Sequence, residues 1–284
     1  MRQHSLHESL IRAFASDQLQ LPAFPAVAMR LQQALHDPKT RVTDLEKMIV
    51  GDQVLASQIL RSANSSLYKG LQPITTIQKA IIRLGVRQVA TLAMAISQRS
   101  LYLIRNPLLN RYMTKLWQHA FASAMGSQWL ARRCGYQPQA DNAFLAGLLH
   151  NIGQLVILRV MDELYSGSNP GEDDLPETLL HEILNSNLHN AQGYVLMKRW
   201  NLPEEYCIVA RDHHKELYDN SQLLLVIVRL MDQACEKLGI GLQQGDTQIS
   251  LAATPEAQAL GLKEVMLAEM EILLEDGVTM ASQI

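Results

Sequence analysis

The sequence predicts an all-helical protein built as a multi-helix bundle, and three observations lead to this prediction. Apolar residues make up 48% of the 284 residues, whereas aromatic residues make up only 5%. The abundant unbranched side chains, such as Leu, Met and Gln, lose little rotamer freedom in a helix. Val and Ile recur at helical spacing rather than at every second position, so no segment shows the alternation typical of a strand. Signals that begin and end helices occur along the whole chain.

The first third of the chain is predicted to form six helices separated by turn signals. Residues 5–19 place Leu6, Leu10 and Phe14 on one face, which is typical of an amphipathic helix. Thr43 and Glu46 have the spacing of a capping box, in which two side chains satisfy free backbone donors at a helix start. The other boundaries are Leu21–Pro25 and Asp37–Pro38 around the second helix, Asn64–Ser66 after a helix at Val54–Ala63, Pro73–Gln78 before a helix ending at Gly85, and Val86–Gln98 for the sixth.

The rest of the chain is predicted to form longer helices around a buried centre. The most apolar stretch, Ala143–Met161, carries His150 and Arg159, so we interpret it as a central helix of a bundle and not as a membrane span. Asp141 or Asn142 is predicted to cap the start of this central helix. The other predicted helices are Asn110–Cys134, which stops at Gly135, and segments near 175–186, 189–200, 203–213, 220–238 and 255–274.

Composition and charge exclude several classes of protein. A formal net charge of −3 provides no basic face for sequence-independent binding to nucleic acid. Cys134, Cys207 and Cys235 are an odd number without a C-x-x-C pair, which fits a reducing cytoplasm. The N-terminus lacks the long apolar run of a signal peptide. We therefore expect a cytoplasmic protein that contacts neither nucleic acid nor a membrane directly.

The candidate chemistry of this chain lies in its histidines and one buried carboxylate. Asp232 lies within an apolar helical stretch, where a carboxylate is unfavourable unless a cation or a hydrogen-bond donor faces it. Histidines that lie on separate predicted helices can converge with such a carboxylate inside a bundle and form a metal site. These histidines are His119, His150, His189, His213 and His214.

Several stretches, taken in order along the chain, resemble the HDOD family, which is a non-catalytic relative of the HD-domain phosphohydrolases. They are Leu21–Val27, Arg61–Tyr68, Pro73–Thr76 with Ala80–Ile81 and Leu84–Gly85, Phe144–Gly153 and Trp200–Glu205. The resemblance implies an HD-domain-like bundle with an N-terminal helical subdomain. It divides the chain into an N-terminal helix at 1–20, an HDOD domain at 21–236 and a C-terminal helical extension at 237–284. Within the domain, 21–108 corresponds to the N-terminal part and 109–236 to the HD-like part.

The resemblance also implies a remnant metal site. Catalytic HD enzymes hold divalent metal with a His, an adjacent His-Asp pair and a distant Asp, and by position these correspond to His119, His150 and Asp232 in this chain. The further histidines that some relatives use for a second metal correspond to His189 and to His213 or His214, which we expect to line the pocket. The departure lies at the paired aspartate, which is Asn151 here. A neutral amide offers one oxygen and cannot bridge two metal ions as a carboxylate does.

Three interpretations of this cluster stay open at the level of sequence. The histidines, Asn151 and Asp232 form a satisfied polar cluster in the core, or they hold a structural transition metal, or they retain catalytic activity. His213 and His214 either end a solvated helix or line the mouth of the old cleft. We expect no catalytic residue and no cofactor, with a divalent transition metal at the remnant site as the alternative.

The function that the resemblance implies is that of a bacterial regulatory module in signal transduction. Such a module acts by binding a partner protein of its pathway or a small nucleotide-like ligand. The first helix and residues 237–284 are candidate surfaces for a partner or for a homodimer. One alternative is a metal-dependent phosphohydrolase acting on a nucleotide or cyclic dinucleotide, and another is a purely structural helical scaffold.

Overall fold

All regular secondary structure in the described part of the chain is helical, which confirms the predicted fold class. The computed structural model describes residues 2–16, 21–37, 39–65, 67–68, 70–165 and 177–284. Outside these residues lie four predicted features: Pro38 at the end of the second helix, Ser66 in the turn after the fourth, and the parts of two predicted helices at 17–19 and 175–176. The first six helices are α1 (Arg2–Ala15), α2 (Ala26–His36), α3 (Val42–Val50), α4 (Gln53–Ala63), α5 (Ile77–Leu84) and α6 (Val86–Gln98).

The remaining helices build the second half of the bundle and its C-terminal segment. They are α7 (Pro107–Arg133), α8 (Ala140–Leu149), α9 (Ile152–Tyr165), α10 (Glu177–Leu184), α11 (Leu188–Arg199), α12 (Glu204–Asp212), α13 (Leu223–Leu238), α14 (Pro255–Ala259) and α15 (Glu264–Ala281). Short 3-10 turns lie at Arg99–Tyr102, Gln137–Gln139 and Leu251–Ala253.

The N-terminal half is organised around α6, which is buried along almost its whole length. Helices α2, α3, α4 and α5 pack against it. The predicted start of α5 is confirmed, because the Thr76 hydroxyl accepts a hydrogen bond from the backbone N–H of Lys79 at 3.1 Å. The predicted end at Gly85 is confirmed as well. Its φ of 84° suits a residue without Cβ, and the chain turns there by 120° into the next helix.

Helix α7 is the central element of the second half, and α8, α9, α13 and α15 pack against it. It begins earlier than predicted, because Asn106 and not Asn110 lies at its start. The Asn106 side chain accepts hydrogen bonds from the backbone N–H groups of Leu108 at 3.0 Å and Leu109 at 3.2 Å. Two such donors satisfied by one cap fix the start of a 27-residue helix, and with it the position of the residues along it.

The predicted central helix at Ala143–Met161 is instead two helices with a break at His150–Asn151. Glycines on either side of the break bring neighbouring helices unusually close. A Cβ on Gly147 would lie 2.7 Å from the carbonyl oxygen of Ser123 on α7, and one on Gly153 would overlap the carbonyl oxygen of His189 on α11. By length and composition the stretch Gln137–Tyr165 could cross a membrane, but 94% of its most apolar window is buried inside the protein.

Residues 237–284 pack against the bundle rather than standing apart from it. Helix α15 lies along α7, where the small residues Gly126 and Gly277 allow close contact with Leu274 and Ala122. The indole N–H of Trp117 donates to the carbonyl oxygen of Ala281 at 3.1 Å. The apolar face of this helix is therefore used within the chain. The partition at residues 20 and 236 stays a prediction.

Three further boundary predictions are wrong for identifiable reasons. Helix α3 begins before Thr43, and Asp44 takes the role expected of Glu46 by accepting the backbone N–H of Arg41 at 3.2 Å. Neither Asp141 nor Asn142 caps α8, which begins at Ala140, and the Asp141 carboxylate pairs with Arg87 instead. The predicted helix at 255–274 is divided into α14 and α15 by Gly261, whose φ is 65°.

The N-terminal segment is tied to the second half through Trp200 at the end of α11. The Trp200 indole N–H donates to the carbonyl oxygen of Pro22 at 2.8 Å. Its ring packs against Phe24 with centroids 5.0 Å apart. An apolar contact and a partly buried hydrogen bond thus join the N-terminal segment around Pro22 to the end of α11.

Candidate functional site

The seven candidate residues lie close together, and five of them line one pocket of about 280 Å³, while His150 and His213 are buried beside it. His119 comes from the middle of α7, His150 and Asn151 from the break between α8 and α9, His189 from α11, His213 and His214 from the residues that follow α12, and Asp232 from α13. They form two groups of potential metal ligands. One contains His119, His150 and Asp232, and the other contains His189, His213 and His214.

The first group, which we call the acceptor triad, consists of His119, His150 and Asp232. The Nε2 atoms of His119 and His150 lie 3.1 Å apart. The Oδ1 atom of Asp232 lies 3.3 Å from Nε2 of His119 and 3.5 Å from Nε2 of His150. Asp232 therefore has the facing partners that its apolar helix requires.

The other ring nitrogen of each of these histidines fixes its tautomer. Nδ1 of His119 lies 3.0 Å from the carbonyl oxygen of Ile240, and Nδ1 of His150 lies 2.7 Å from that of Gly147. A carbonyl oxygen only accepts, so each Nδ1 carries a proton and each neutral ring directs the lone pair of Nε2 into the site. Two imidazole lone pairs and a carboxylate oxygen thus face one another, and this arrangement requires a proton or a metal cation between them.

Without a metal ion, a proton on His119 satisfies the triad. Burial disfavours the charged imidazolium, but the neighbouring Cys235 and Asp232 outweigh it and hold the pKa of His119 well above its ordinary value. Burial lowers the pKa of His150, against the influence of Asp232. Burial also acts against the charged carboxylate, yet hydrogen bonds from His119 and His150 hold the pKa of Asp232 well below its ordinary value. Of the two histidines, His119 is thus the one whose protonated form the Asp232 carboxylate favours.

The triad also has the dimensions of a transition-metal site. Zinc binds imidazole nitrogen and carboxylate oxygen at about 2.0–2.1 Å, and two ligand atoms at tetrahedral positions are then about 3.3–3.4 Å apart. The three separations in the triad are 3.1, 3.3 and 3.5 Å. Each histidine already donates its Nδ1 proton to a backbone carbonyl, which is the outer-shell arrangement that orients metal-binding imidazoles. The residues present therefore fit a divalent transition metal.

The second group is held in the same way and contains an unpaired acceptor. Nδ1 of His189 lies 2.7 Å from the carbonyl oxygen of Ser186, so its Nε2 carries a lone pair. This buried atom has no hydrogen-bond partner among the described residues. The rings of His213 and His214 lie 5.5 and 5.2 Å from that of His189. Burial and the neighbouring His214 lower the pKa of His189 to about 4. Of the pair that follows α12, His213 is buried, whereas His214 is exposed at the pocket mouth.

Asn151 lies between the two groups. Its Nδ2 is 3.1 Å from Nε2 of His119, and its Oδ1 is 3.1 Å from Nε2 of His213. A carboxylate at this position would present one oxygen to each group and could bridge two metal ions. The amide presents a single oxygen, so the two groups are not joined by an anionic bridge.

The pocket above the triad is rich in hydrogen-bond acceptors and amides. Among the described lining residues the carboxylates are Asp232 and Glu236, and no Lys or Arg occurs. A neighbouring pocket shares His214 and contains Arg211 and Lys215, but both cations are already paired with Asp212. The main pocket therefore favours a cation more than a phosphate group.

Some residues around the site were not predicted from the sequence. Cys235 lines the pocket, with its Sγ 3.5 Å from Oγ of Ser123. Arg229 lies one turn before Asp232, and it pairs with the buried Glu256 at 2.6 Å. A signal for Arg229 was present, because a cation within the apolar stretch Leu223–Leu230 requires a buried partner in the same way as Asp232 does.

Comparison with known proteins identifies relatives of this chain in sequence and in fold. The sequence model of the HDOD domain matches residues 21–216. An uncharacterised protein of Treponema pallidum (strain Nichols) is 25% identical over 196 residues, which are 68% of this chain and 37% of that protein. The chain thus spans little more than a third of the length of that relative.

Two solved structures resemble the whole chain. An HDOD domain protein of unknown function from Geobacter sulfurreducens has 24% identity and a TM-score of 0.76, with 97% of both chains covered. A protein from Shewanella amazonensis, provisionally named as a metal-dependent phosphohydrolase, has 22% identity and a TM-score of 0.72, with 97% of this chain and 99% of that chain covered. At these identities the likeness shows the fold alone. Because the HDOD sequence model matches well over half of its length, this chain belongs to the HDOD family.

Proposed function

We propose that this protein is a regulatory module of bacterial signal transduction that acts by binding, and that its histidine pocket takes up a divalent transition metal ion. In this proposal the module works in the cytoplasm and passes its state to a partner protein, alone or as a homodimer. The metal would be held by His119, His150 and Asp232. When bound, it would supply a fixed positive charge that orders the pocket.

The acceptor triad carries this proposal. His119 on α7, His150 in the α8–α9 break and Asp232 on α13 direct three acceptors at one point. A cation at that point joins α7, the α8–α9 break and α13 more strongly than a shared proton does. Since a ligand that binds only the native state stabilises it, occupancy of the triad changes the stability of the arrangement that a partner recognises.

Two observations argue against hydrolysis as the main activity. Asn151 provides no bridging carboxylate between the two histidine groups, and a hydrolytic site of this kind depends on a complete and oriented set of ligands. The described lining residues also include no Lys or Arg that would neutralise a phosphate. We therefore assign no catalytic residue.

The test is metal binding by the purified protein. Elemental analysis and titration with Zn²⁺ or Co²⁺ should show a stoichiometric ion, and Asp232→Asn should weaken its affinity by roughly 10- to 100-fold or more. His7→Ala changes an exposed histidine in α1 and serves as the matched control, with unchanged affinity. A folded protein that binds neither ion, or equal affinity in the Asp232→Asn variant, would contradict the proposal.

A metal-dependent phosphohydrolase is the second candidate function, and one observation favours it. Six potential ligands, including His189 and His214, form two groups on either side of Asn151, and four of the six line the same pocket. Asn151→Asp should then raise metal affinity and create turnover of a generic phosphodiester such as bis(p-nitrophenyl) phosphate. Turnover by the natural sequence at a comparable rate would favour hydrolysis over binding as the function.

A further inference from the structure

Arg229 makes a set of partly buried contacts that converge on the backbone around His214. Its side chain is 13% exposed and lies on α13, one turn before Asp232. Its Nη1 donates to the carbonyl oxygens of His213 at 2.6 Å and Lys215 at 2.8 Å. The guanidinium also lies 3.9 Å from the ring centre of Tyr218. A single cation thus holds the peptide groups on both sides of one pocket histidine.

Glu256 holds this guanidinium from the other side. Its Oε1 accepts from Nε of Arg229 at 2.6 Å, and the residue is 1% exposed. It lies on α14, a five-residue helix whose start is fixed by the Thr254 hydroxyl, which accepts the backbone N–H of Ala257. Burying such a pair is unfavourable unless its geometry is well satisfied, and removing one partner leaves an uncompensated charge. The C-terminal segment therefore supplies a required partner of Arg229.

The carbonyls that Arg229 holds, those of His213 and Lys215, lie just after the end of α12. This helix ends at Asp212, so the carbonyl groups that follow lack donors from a continuing helix. Arg229 provides those donors and fixes the direction in which the two histidine rings leave the backbone. As a result His213 places Nε2 3.1 Å from Oδ1 of Asn151, and His214 places Nδ1 3.6 Å from Oδ2 of Asp232.

We propose that Arg229 and Glu256 are positioning residues of the histidine pocket. They hold His213 and His214 against Asn151 and Asp232, and so the segment after residue 236 controls the orientation of the Asp232 carboxylate. The effect on metal binding rests on the proposed function. Outer-shell partners of metal ligands typically change affinity by 10- to 100-fold. Loss of the Glu256 contact should therefore weaken binding at the acceptor triad although Glu256 contacts none of its members.

The experiment compares Glu256→Gln with Glu271→Gln in the full chain. Glu271 forms a similar pair with Lys237 at 2.5 Å, and that pair also joins α13 to the C-terminal segment, but it does not touch the residues around His214. Two readouts are measured for each variant: the NMR shifts of the His213 and His214 rings in metal-free protein, and the affinity and absorption spectrum with Co²⁺. Glu256→Gln should move both ring signals and weaken Co²⁺ binding about tenfold, while Glu271→Gln should leave both unchanged.

The two readouts separate this inference from the proposed function. A wild-type protein that binds no Co²⁺ contradicts the metal proposal, whereas ring shifts confined to Glu256→Gln still support the positioning role. The positioning role would be overturned if the ring signals and the Co²⁺ affinity changed equally in Glu256→Gln and Glu271→Gln, or in neither variant. If Glu256→Gln does not fold, Arg229→Lys is compared with Arg229→Met. Lysine keeps the charge but not the forked donors, so an intermediate ring shift supports the inference and equal shifts in the two variants overturn it.

Discussion

Replacing Gly153 with Ala tests whether close contact between α9 and α11 sets the position of His189. A Cβ on Gly153 would overlap the carbonyl oxygen of His189, and it would lie 2.7 Å from the carbonyl carbon of that residue and 2.8 Å from the amide nitrogen of Gly193. All three atoms belong to the backbone, so no side-chain rotation relieves the clash. Helix α11 must move away from α9, and His189 moves with it.

The magnitude follows from two opposing effects. Alanine is preferred over glycine in a helix by about 1 kcal/mol. Overpacking of a buried contact costs about 1–3 kcal/mol and occasionally more, and a clash with rigid backbone falls at the upper end of that range. We expect a net loss of about 2 kcal/mol in the free energy of unfolding. For a chain of this size that is roughly 4–8 °C in the midpoint of thermal unfolding.

Gly126→Ala is the matched control, measured by the same thermal and urea unfolding. A Cβ on Gly126 would lie 2.6 Å from Sδ of Met231 and 2.8 Å from Cδ2 of Leu274. Both neighbours are the ends of flexible side chains, which can shift. Gly126→Ala should therefore lower the free energy of unfolding less than Gly153→Ala does. A Gly153→Ala variant as stable as the wild type, or more stable than Gly126→Ala, would refute the argument that backbone contact determines this packing.

Three further predictions concern single contacts. Asn106→Ala should lower the free energy of unfolding by about 1 kcal/mol in urea, because the two donors at the start of α7 lose their acceptor. Asn142→Ala removes no cap and should lower the free energy of unfolding clearly less. Equal losses in the two variants would contradict the assignment of Asn106 as the cap. Trp200→Phe should cost about 1 kcal/mol through loss of the hydrogen bond to Pro22, and an unchanged midpoint of thermal unfolding would argue against that contact. Because the pKa of His189 is lowered to about 4 in the folded protein, the unfolded chain binds more protons, and stability should fall as the pH drops from about 6.5 towards 4 by up to about 3 kcal/mol. His189→Gln should flatten this part of the pH profile, and an unchanged profile would show that another group is responsible.

Helix boundaries were predictable where the signal is local. The start of α5 at Thr76 and its end at Gly85 depend on a hydroxyl and a positive φ, and both can be inferred from neighbouring residues. The break at His150–Asn151 was not predictable in this way. The apolar pattern continues through it, and the close approaches of α7 at Gly147 and of α11 at Gly153 on either side of the break are long-range contacts. Single-sequence periodicity contains no information on such contacts.

The membership of the site was predictable from the resemblance, but its electrostatic character was not. The positions of His119, His150 and Asp232 followed from the family pattern in the sequence. The direction of each imidazole lone pair depends on a backbone carbonyl, and for His119 that carbonyl belongs to Ile240, which is 121 residues away. Tertiary structure alone determines such a pairing. Arg229 was missed for a related reason, because its partner Glu256 lies beyond the region of resemblance.

Helix α11 has a consequence for how a signal leaves the pocket. His189 lies at its first turn and Trp200 directly follows its last residue, so the pocket and the N-terminal segment around Pro22 are attached to opposite ends of one stiff rod. Pushing or pulling one end of such a rod moves the other by a similar amount, because packed helices shift as units. A displacement of His189 would in this way be carried along α11 to Trp200 and to Phe24, which packs on its ring.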